Sequence, residues 1–155
     1  MNPILEPGAP APPFSALSDE GDTWTLAALA GRRAVIYFYP RDNTPGCTEQ
    51  ACDLRDNLGQ LKALGLIILG VSPDTLKSHA GFRHKHALNF PLLSDPEQAM
   101  AQAFGVWREK VNYGRTYLGI VRSTFVVDAE GVIERVYDNV RAKGHAARLL
   151  KDLGA

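Results

Sequence analysis

The sequence predicts a single α/β domain, a three-layer sandwich with helices on both faces of a central mixed β-sheet and an N-terminal β-hairpin. Three observations support this fold class. The length of 155 residues is typical of one domain, here residues 1–155. From residue 34 onward, continuous apolar runs alternate with amphipathic segments, which is typical of βαβ units. Near the C-terminus, a tight turn joins two β-rich runs, which indicates an added antiparallel pair.

The N-terminal segment is predicted to be an extended arm followed by a small hairpin. Five prolines occur within the first thirteen residues, and proline favours extended and turn conformations over helix. Residues 14–17 and 22–26 flank Ser18-Asp19-Glu20-Gly21, whose glycine indicates a turn between two strands. We therefore expect an arm laid over the surface and one hairpin before the core.

The core is predicted to alternate strands with helices. Residues 34–39 and 66–71 are apolar runs of the kind that form strands buried on both faces. We expect further strands at 124–127 and 132–137, and helices at 45–64, 75–87, 96–104 and 142–153. Pro96 should open the third of these helices, because proline is favoured at the first helical position. Trp107, Tyr113 and Tyr117 lie in a stretch of little periodicity; we interpret it as a long loop over the sheet edge, with a partner or substrate site as the alternative.

Composition and charge argue against several classes of protein. Seventeen basic residues balance seventeen acidic ones, so the chain lacks the basic excess that is typical of nucleic-acid-binding proteins. No run approaches the ~20 apolar residues that span a bilayer, and the first residues lack the features of a signal peptide. Two cysteines are too few for a disulfide-stapled secreted fold. We expect a cytoplasmic protein without nucleic-acid or membrane partners.

The segment between the first core strand and its helix carries the most informative chemistry. Thr44 followed by Pro45 is typical of a helix N-cap and first turn, which puts Cys47 at about the third helical position. The unpaired N–H groups and the helix dipole there favour the thiolate, which is the nucleophilic form. The Thr44 hydroxyl can either cap the helix or donate to a ligand oxygen. The alternative is that Cys47 is a small buried hydrophobe, because it shares the apolar helix face of Ala51, Leu54, Leu58 and Leu61.

The second cysteine, Cys52, lies five residues after Cys47. On a regular helix this spacing separates the two by ~140° and ~7.5 Å along the axis, so their Cα atoms lie roughly 8.7 Å apart. A disulfide needs less than about 7 Å. A bond between the two sulfurs therefore requires the first turns to unwind, and the pair is either a redox couple linked to local unfolding or two unrelated thiols.

The remaining candidates are weaker when taken alone. His79, His84 and His86 do not share one helix face, which is a poor arrangement for metal ligands, and we expect no metal site. His145 lies in a basic terminal helix and is interpreted as a surface residue. Arg122 precedes a buried strand, where an arginine is usually exposed, but near Cys47 its guanidinium would stabilise a thiolate.

These residues together resemble a known family. Pro40-x-x-x-Thr44-x-x-Cys47 resembles the active-site motif of peroxiredoxins, and the run from Arg122 to Asp128 resembles that family's arginine-bearing strand. The fuller run Asp42-Asn-Thr-Pro-Gly-Cys-Thr, with a second cysteine at Cys52, is similar to the Q-type subfamily, also called bacterioferritin comigratory protein. The similarity covers nearly the whole chain.

The resemblance implies a thioredoxin-like fold and a thiol-dependent peroxidase of hydrogen peroxide and organic hydroperoxides. Carried over by position, Cys47 is the peroxidatic cysteine and Cys52 the resolving one, so the product is a Cys47–Cys52 disulfide. Thr44 and Arg122 would bind the peroxide oxygens, and Pro40 would shield the pocket from water. The resemblance also implies recycling by thioredoxin or a glutaredoxin-like dithiol, no cofactor, and a monomer with intramolecular resolution.

Two other hypotheses predict different chemistry. A thioredoxin-type dithiol/disulfide oxidoreductase would carry C-x-x-C, whereas this chain has C-x-x-x-x-C. A redox-sensing partner or holdase-like binding module would not consume peroxide rapidly. A peroxide assay separates both from the peroxidase.

Overall fold

The computed structural model describes residues 3–154. The strands are β1 (Ser15–Ser18), β2 (Thr23–Thr25), β3 (Arg33–Phe38), β4 (Leu66–Ser72), β5 (Leu92–Ser94), β6 (Trp107–Asn112), β7 (Arg115–Ile120), β8 (Ser123–Val127) and β9 (Ile133–Tyr137). The α-helices are α1 (Pro45–Asp56), α2 (Leu58–Ala63), α3 (Leu76–His86), α4 (Ala99–Ala103) and α5 (His145–Leu153), and a short 3-10 helix spans Ala27–Leu29. Across these 152 positions, no helix is both long and apolar enough to cross a membrane.

The main sheet has seven strands in the order β2-β1-β5-β4-β3-β8-β9. Strands β3, β4 and β5 are parallel neighbours, as expected for strands that are connected through helices. Antiparallel pairing joins β1 to β2 and β5 on one side, and β8 to β3 and β9 on the other. The N-terminal hairpin and the C-terminal antiparallel pair are therefore both present, as predicted.

Alternation along the central strand β3 divides the core into two clusters. Val35 and Tyr37 pack in the same cluster as the apolar faces of α1, α2 and α5. Ile36 and Phe38 point to the opposite face and pack in a second cluster with α4 and the N-terminal arm. Every residue is buried at the predicted α1 and α2 stripe positions, which are Cys47, Ala51, Leu54, Leu58 and Leu61. Helices cover both faces of the mixed sheet, which confirms the predicted sandwich.

The helix predicted at 45–64 is interrupted at Asn57, which separates α1 from α2. The Asn57 side chain donates from Nδ2 to the carbonyl of Asp53 at 2.8 Å, in competition with the backbone ladder. The apolar stripe continues through the break, which is why the periodicity alone predicted one helix.

The helix predicted to begin at Pro96 begins three residues later, at Ala99. Residues 96 and 97 form a turn, and Gln98 then takes a left-handed conformation with φ 57°. Asp95, before the turn, accepts the N–H groups of Met100 and Ala101 at 3.1 and 3.0 Å. The capping carboxylate thus lies before the proline, and the prediction of Pro96 as the first helical residue was wrong.

The stretch predicted as a long loop is the hairpin β6–β7, which pairs from Trp107–Ile120 to Asn112–Arg115. Its two-residue turn is Tyr113–Gly114, with φ values of 51° and 74°, as hairpin turns of the mirror-image type require. Most of its side chains are at least partly exposed, and Tyr113 is 98% exposed. Such a ribbon lacks a buried face, so its sequence carries no clear apolar alternation.

The prediction of His145 as a surface residue was wrong. His145 is 2% exposed at the first position of α5, and its Nε2 lies 2.9 Å from the Thr124 hydroxyl on β8. Burial, with smaller contributions from Arg148 and Arg122, lowers the pKa of His145 to about 4. The basic neighbours that suggested a surface position belong to the exposed face of the same helix.

Candidate active site

Cys47 lies in the first turn of α1, directly after the loop that leaves β3. Thr44 is the N-cap residue, with φ −86° and ψ 153°, and Pro45 takes the first helical position. The Cys47 side chain is 1% exposed because it belongs to the apolar stripe that packs on β3. The two interpretations of Cys47, as a helix-start thiol and as a buried stripe residue, therefore describe the same position.

Arg122 reaches Cys47 from the segment between β7 and β8. Its Nη2 lies 3.3 Å from the Cys47 Sγ, and its Nη1 donates to the Gln50 Oε1 at 2.6 Å. The backbone is held too, since the Arg122 carbonyl accepts the Val140 N–H at 2.9 Å. This geometry brings a fixed positive charge and an N–H donor to the sulfur.

Gln50 is a site residue that sequence reasoning missed. It lies three residues after Cys47, on the same side of α1, and it is completely buried. Its Nε2 has no hydrogen-bond partner within residues 3–154. The i, i+3 spacing from Cys47 was the available signal, but only the distant Arg122 gives the amide its role.

Gly46 leaves the space that Arg122 occupies. A Cβ atom at position 46 would lie 3.1 Å from the Arg122 Nη2, closer than ordinary van der Waals contact. The glycine in the Pro-Gly-Cys run thus lets the guanidinium pass over the start of α1 to the sulfur.

Thr44 and Pro40 flank the thiol on the N-terminal side, and both are half-buried. The Thr44 hydroxyl donates to the carbonyl of Arg41 at 2.9 Å and makes no capping bond. Its donor is thus engaged in the loop, and the capping role expected as one alternative for this hydroxyl is not observed. Its oxygen retains acceptor capacity.

Cys52 lies in the third turn of the same helix, and both cysteines are free thiols. Cys52 is half-buried, whereas Cys47 is buried. Because α1 is continuous from residue 45 to residue 56, both sulfurs are held on an intact helix. This is the separated arrangement that the five-residue spacing predicts for the reduced pair.

Comparison with known proteins assigns the chain to a family. The AhpC/TSA family matches residues 7–136. Peroxiredoxin Bcp of Bacillus subtilis is 44% identical over 149 residues, which cover 96% of this chain and 95% of that protein. Peroxiredoxin Bcp of Escherichia coli K12 is 46% identical over 145 residues, covering 94% and 92%. The chain is a peroxiredoxin of the AhpC/TSA family.

Solved structures agree with this assignment. Peroxiredoxin Q of Xanthomonas campestris matches this chain with a TM-score of 0.88 and 41% identity, over 97% of this chain and 95% of that chain. A second Xanthomonas campestris structure is of a bacterioferritin comigratory protein with alkyl peroxide reduction activity. It matches with a TM-score of 0.88 and 40% identity, over 97% of this chain and 96% of that chain. These matches confirm the resemblance to the Q-type subfamily and the thioredoxin-like fold. The peroxiredoxin is a thiol-dependent peroxidase, and its family implies a peroxide substrate and a thiol reductant.

The peroxiredoxin carries a second cation near the thiol. The Lys110 Nζ, on β6, donates to the carbonyl of Ile120 at 2.8 Å, two residues before Arg122. Burial and the positive charge of Arg122 lower the pKa of Lys110, while the Cys47 sulfur opposes this change. The β6–β7 hairpin therefore contributes a basic group to the field around Cys47.

One group of side chains has the composition of a metal site. Ligand atoms of Asp42, Asp74 and His79 lie within 4.8 Å of one another. All three are already engaged by protein partners, and Asp42 alone accepts from Tyr39, Ser78 and His79. Two of the histidines that were predicted not to form a ligand set, His79 and His84, lie on the same helix. His79 is buried and His84 is exposed, so their side chains do not share one site. The group is therefore an internal hydrogen-bond network.

Proposed function

We propose that Cys47 is the nucleophile that reduces hydroperoxides. The observation that carries this proposal is the Arg122 guanidinium at 3.3 Å from a helix-start sulfur. The thiolate sulfur attacks one peroxide oxygen, the O–O bond breaks, and sulfur supplies the two electrons. Cys47 becomes a sulfenic acid, and the other oxygen leaves as hydroxide or alkoxide and takes up a proton to give water or an alcohol.

The charge that develops on the leaving oxygen needs hydrogen-bond donors close to the sulfur. In the proposal Arg122 supplies them, and Thr44 binds the peroxide through its hydroxyl. Pro40 would limit the access of water. Engagement of the Thr44 proton by the Arg41 carbonyl suits a hydroxyl that accepts from the peroxide O–H.

We infer that Cys52 resolves the sulfenic acid. Its thiol attacks the Cys47 sulfur, water leaves, and a Cys47–Cys52 disulfide forms. Because the two residues lie five apart on an intact helix, this step needs the first turns of α1 to unwind. The half-buried position of Cys52 in the reduced helix is compatible with that movement.

The disulfide on the loosened segment would then be reduced by an external dithiol such as thioredoxin or a glutaredoxin-like protein. We propose that residues 1–155 act as one monomeric, cytoplasmic domain on hydrogen peroxide and organic hydroperoxides. The alkyl peroxide reduction named for the related Xanthomonas protein supports the organic part of this substrate range.

The experiment is free-thiol titration and intact mass after one equivalent of peroxide, on wild type, Cys47→Ser and Cys52→Ser. We expect the wild type to lose two thiols and about 2 Da, because each thiol gives up one hydrogen on disulfide formation. Cys47→Ser should be inert, and Cys52→Ser should stop at a sulfenic acid or at a dimer linked through Cys47. Normal thioredoxin-dependent turnover of Cys52→Ser would exclude the resolving role, and insulin reduction by a peroxide-inert wild type would indicate a dithiol oxidoreductase instead.

A further inference from the structure

The loop that joins β3 to α1, residues 39–44, is fastened by a buried carboxylate. Asp42 is 4% exposed, and its Oδ1 accepts the Tyr39 hydroxyl at 2.6 Å. Its Oδ2 lies 2.8 Å from the Ser78 hydroxyl and 2.7 Å from the His79 Nδ1. The Asp42 N–H donates to the Asp74 carboxylate at 2.8 Å. Both the side chain and the backbone of this loop residue are therefore held by the segment that runs from β4 into α3.

His79 is the charged partner in this network. It lies in α3, is completely buried, and its Nε2 is 2.9 Å from the carbonyl of Leu93 on β5. Both ring nitrogens thus face acceptors, one a carboxylate and the other a carbonyl. An imidazole satisfies both only when both nitrogens carry a proton, so the arrangement is that of an imidazolium–carboxylate pair.

The chain between this pair and the reacting thiol is short. Asn43 follows Asp42 in a left-handed conformation with φ 63°, and Thr44 comes next. The Thr44 hydroxyl is tied back to Arg41, and the Thr44 carbonyl accepts the first helical N–H, that of Thr48, at 2.9 Å. The position of Asp42 therefore sets where Thr44 and the first turn of α1 lie relative to Arg122.

We propose that Asp42 and His79 are positioning residues for the peroxide step of this enzyme. The inference rests on the proposed role of Cys47 and goes beyond it. Neither side chain contacts the sulfur; they fix the loop that presents Thr44 and the first turn of α1 on one side, while Arg122 approaches from the other. Misplacement of a reacting group by about 1 Å can cost on the order of 100-fold in rate.

The network lies outside the segment that unwinds for resolution. The turns of α1 that must unwind begin at residue 45, whereas Asp42 precedes the helix and His79 belongs to α3. Loss of the pair should therefore slow the reaction with peroxide without slowing disulfide formation. A residue that merely stabilises the fold would not separate these two steps.

The test measures the two steps separately by rapid quench and intact mass. The peroxide step is followed in a Cys52→Ser background, where the sulfenic acid accumulates, and resolution is followed in the two-cysteine protein. We expect His79→Leu and Asp42→Asn to lower the second-order rate of sulfenic acid formation by about tenfold or more. Resolution should stay within about twofold, and His79→Asn, which retains a donor toward Asp42, should recover part of the loss.

Two controls make the result decisive. His84→Leu alters an exposed histidine on the same helix, and Phe104→Leu weakens the core on the opposite face of the sheet. Both should keep the parent rate of the peroxide step. If His79→Leu does not fold, Asp42→Asn supplies the test. Unchanged rates in the folded variants, or equal slowing by Phe104→Leu, would overturn the inference, whereas a Cys52→Ser parent that never forms sulfenic acid would overturn the proposed function instead.

Discussion

The Cys47 sulfur contacts the Arg122 guanidinium, whose two terminal nitrogens have different partners. Nη2 lies at the thiol, while Nη1 is held at 2.6 Å by the Gln50 amide oxygen. This second partner is neutral, and within residues 3–154 no carboxylate forms an ion pair with Arg122. In the proposed mechanism, the cationic charge of Arg122 would therefore act on the Cys47 sulfur and on the leaving oxygen.

Replacement of Arg122 should slow the reaction of Cys47 with peroxide. Arg122→Gln is expected to lower the second-order rate by about 100-fold or more, the usual cost of losing a donor to a developing oxyanion. Arg122→Lys keeps the charge but cannot hold Cys47 and Gln50 together, so its rate should be intermediate. The rate of thiol loss under excess peroxide measures both. Arg141→Gln, on an exposed loop, is the matched control, and a wild-type rate in Arg122→Gln would remove Arg122 from the mechanism.

Helix α1 is tied to α5 by a carboxylate that lies next to the second cysteine. The Asp53 Oδ2 accepts the Ala146 N–H at 2.8 Å, in the first turn of α5. The α5 N-cap is Gly144, which offers no side chain for this purpose. Asp53 therefore caps the neighbouring helix, and unwinding of α1 through Asp53 would remove this cap.

Oxidation to the Cys47–Cys52 disulfide should loosen the first turn of α5. If α1 unwinds as far as residue 52, Asp53 leaves its capping position and the Ala146 amide loses its acceptor. Hydrogen exchange followed by mass spectrometry should show faster exchange in peptides covering 145–149 of the oxidised protein than of the reduced protein. Peptides from β3 should serve as the unchanged reference. Equal α5 exchange in both redox states would show that unwinding stops before Asp53.

Two buried histidines give the whole molecule opposing responses to pH. Burial lowers the pKa of His79, but the hydrogen bond and charge of Asp42 raise it more, so the net pKa lies above its ordinary value. The contribution of His79 to the free energy of unfolding is therefore fully present below about pH 6.5, and it is lost as pH rises through the pKa of His79 in the folded protein. His145 acts in the other direction, because its lowered pKa makes protonation favour the unfolded chain.

His145 should therefore destabilise the protein in acid. Its folded pKa of about 4 lies below the ordinary 6.5, so its contribution to the free energy of unfolding is retained above pH 6.5. That contribution is lost as pH falls toward 4. Each pKa unit corresponds to ~1.36 kcal/mol, so the lowering of the His145 pKa corresponds to a loss of about 3 kcal/mol in the free energy of unfolding. Urea unfolding near pH 7 and pH 4 should show a smaller acid loss for His145→Gln than for wild type. Equal losses in the two proteins would exclude His145 as the acid-sensitive group.

Sequence reasoning predicted the parts of the molecule whose signals are local and periodic. The β3 strand and the α1 stripe are read from consecutive apolar residues, and Thr44-Pro45 fixes the helix start within one turn. The resemblance to the family predicted that Arg122 lies near Cys47, although the two are 75 positions apart. No local sequence pattern could predict this contact. The structure adds the distance and the second contact of Arg122.

The errors arose where tertiary contacts override local patterns. The β6–β7 ribbon has no buried face, and the three-residue strand β5 is too short to be distinguished. The sequence predicted an exposed His145 because the burial of this residue depends on the contact of α5 with β8. It gave no role to His79 because the partner of this histidine, Asp42, is 37 residues away. Buried polar pairs of this kind become visible only when both partners are placed.

The burial of Cys47 also affects which oxidants and electrophiles could reach its sulfur. The Cys47 residue is only 1% exposed, so a reagent much larger than a peroxide would need the first turn of α1 to open before it could reach the sulfur. Cys52, half-buried on the same helix, is less protected. If Cys47 is the nucleophile, as proposed, the thiol that reacts with peroxide is the better buried of the two, and packing then contributes to its selectivity among thiol-directed reagents.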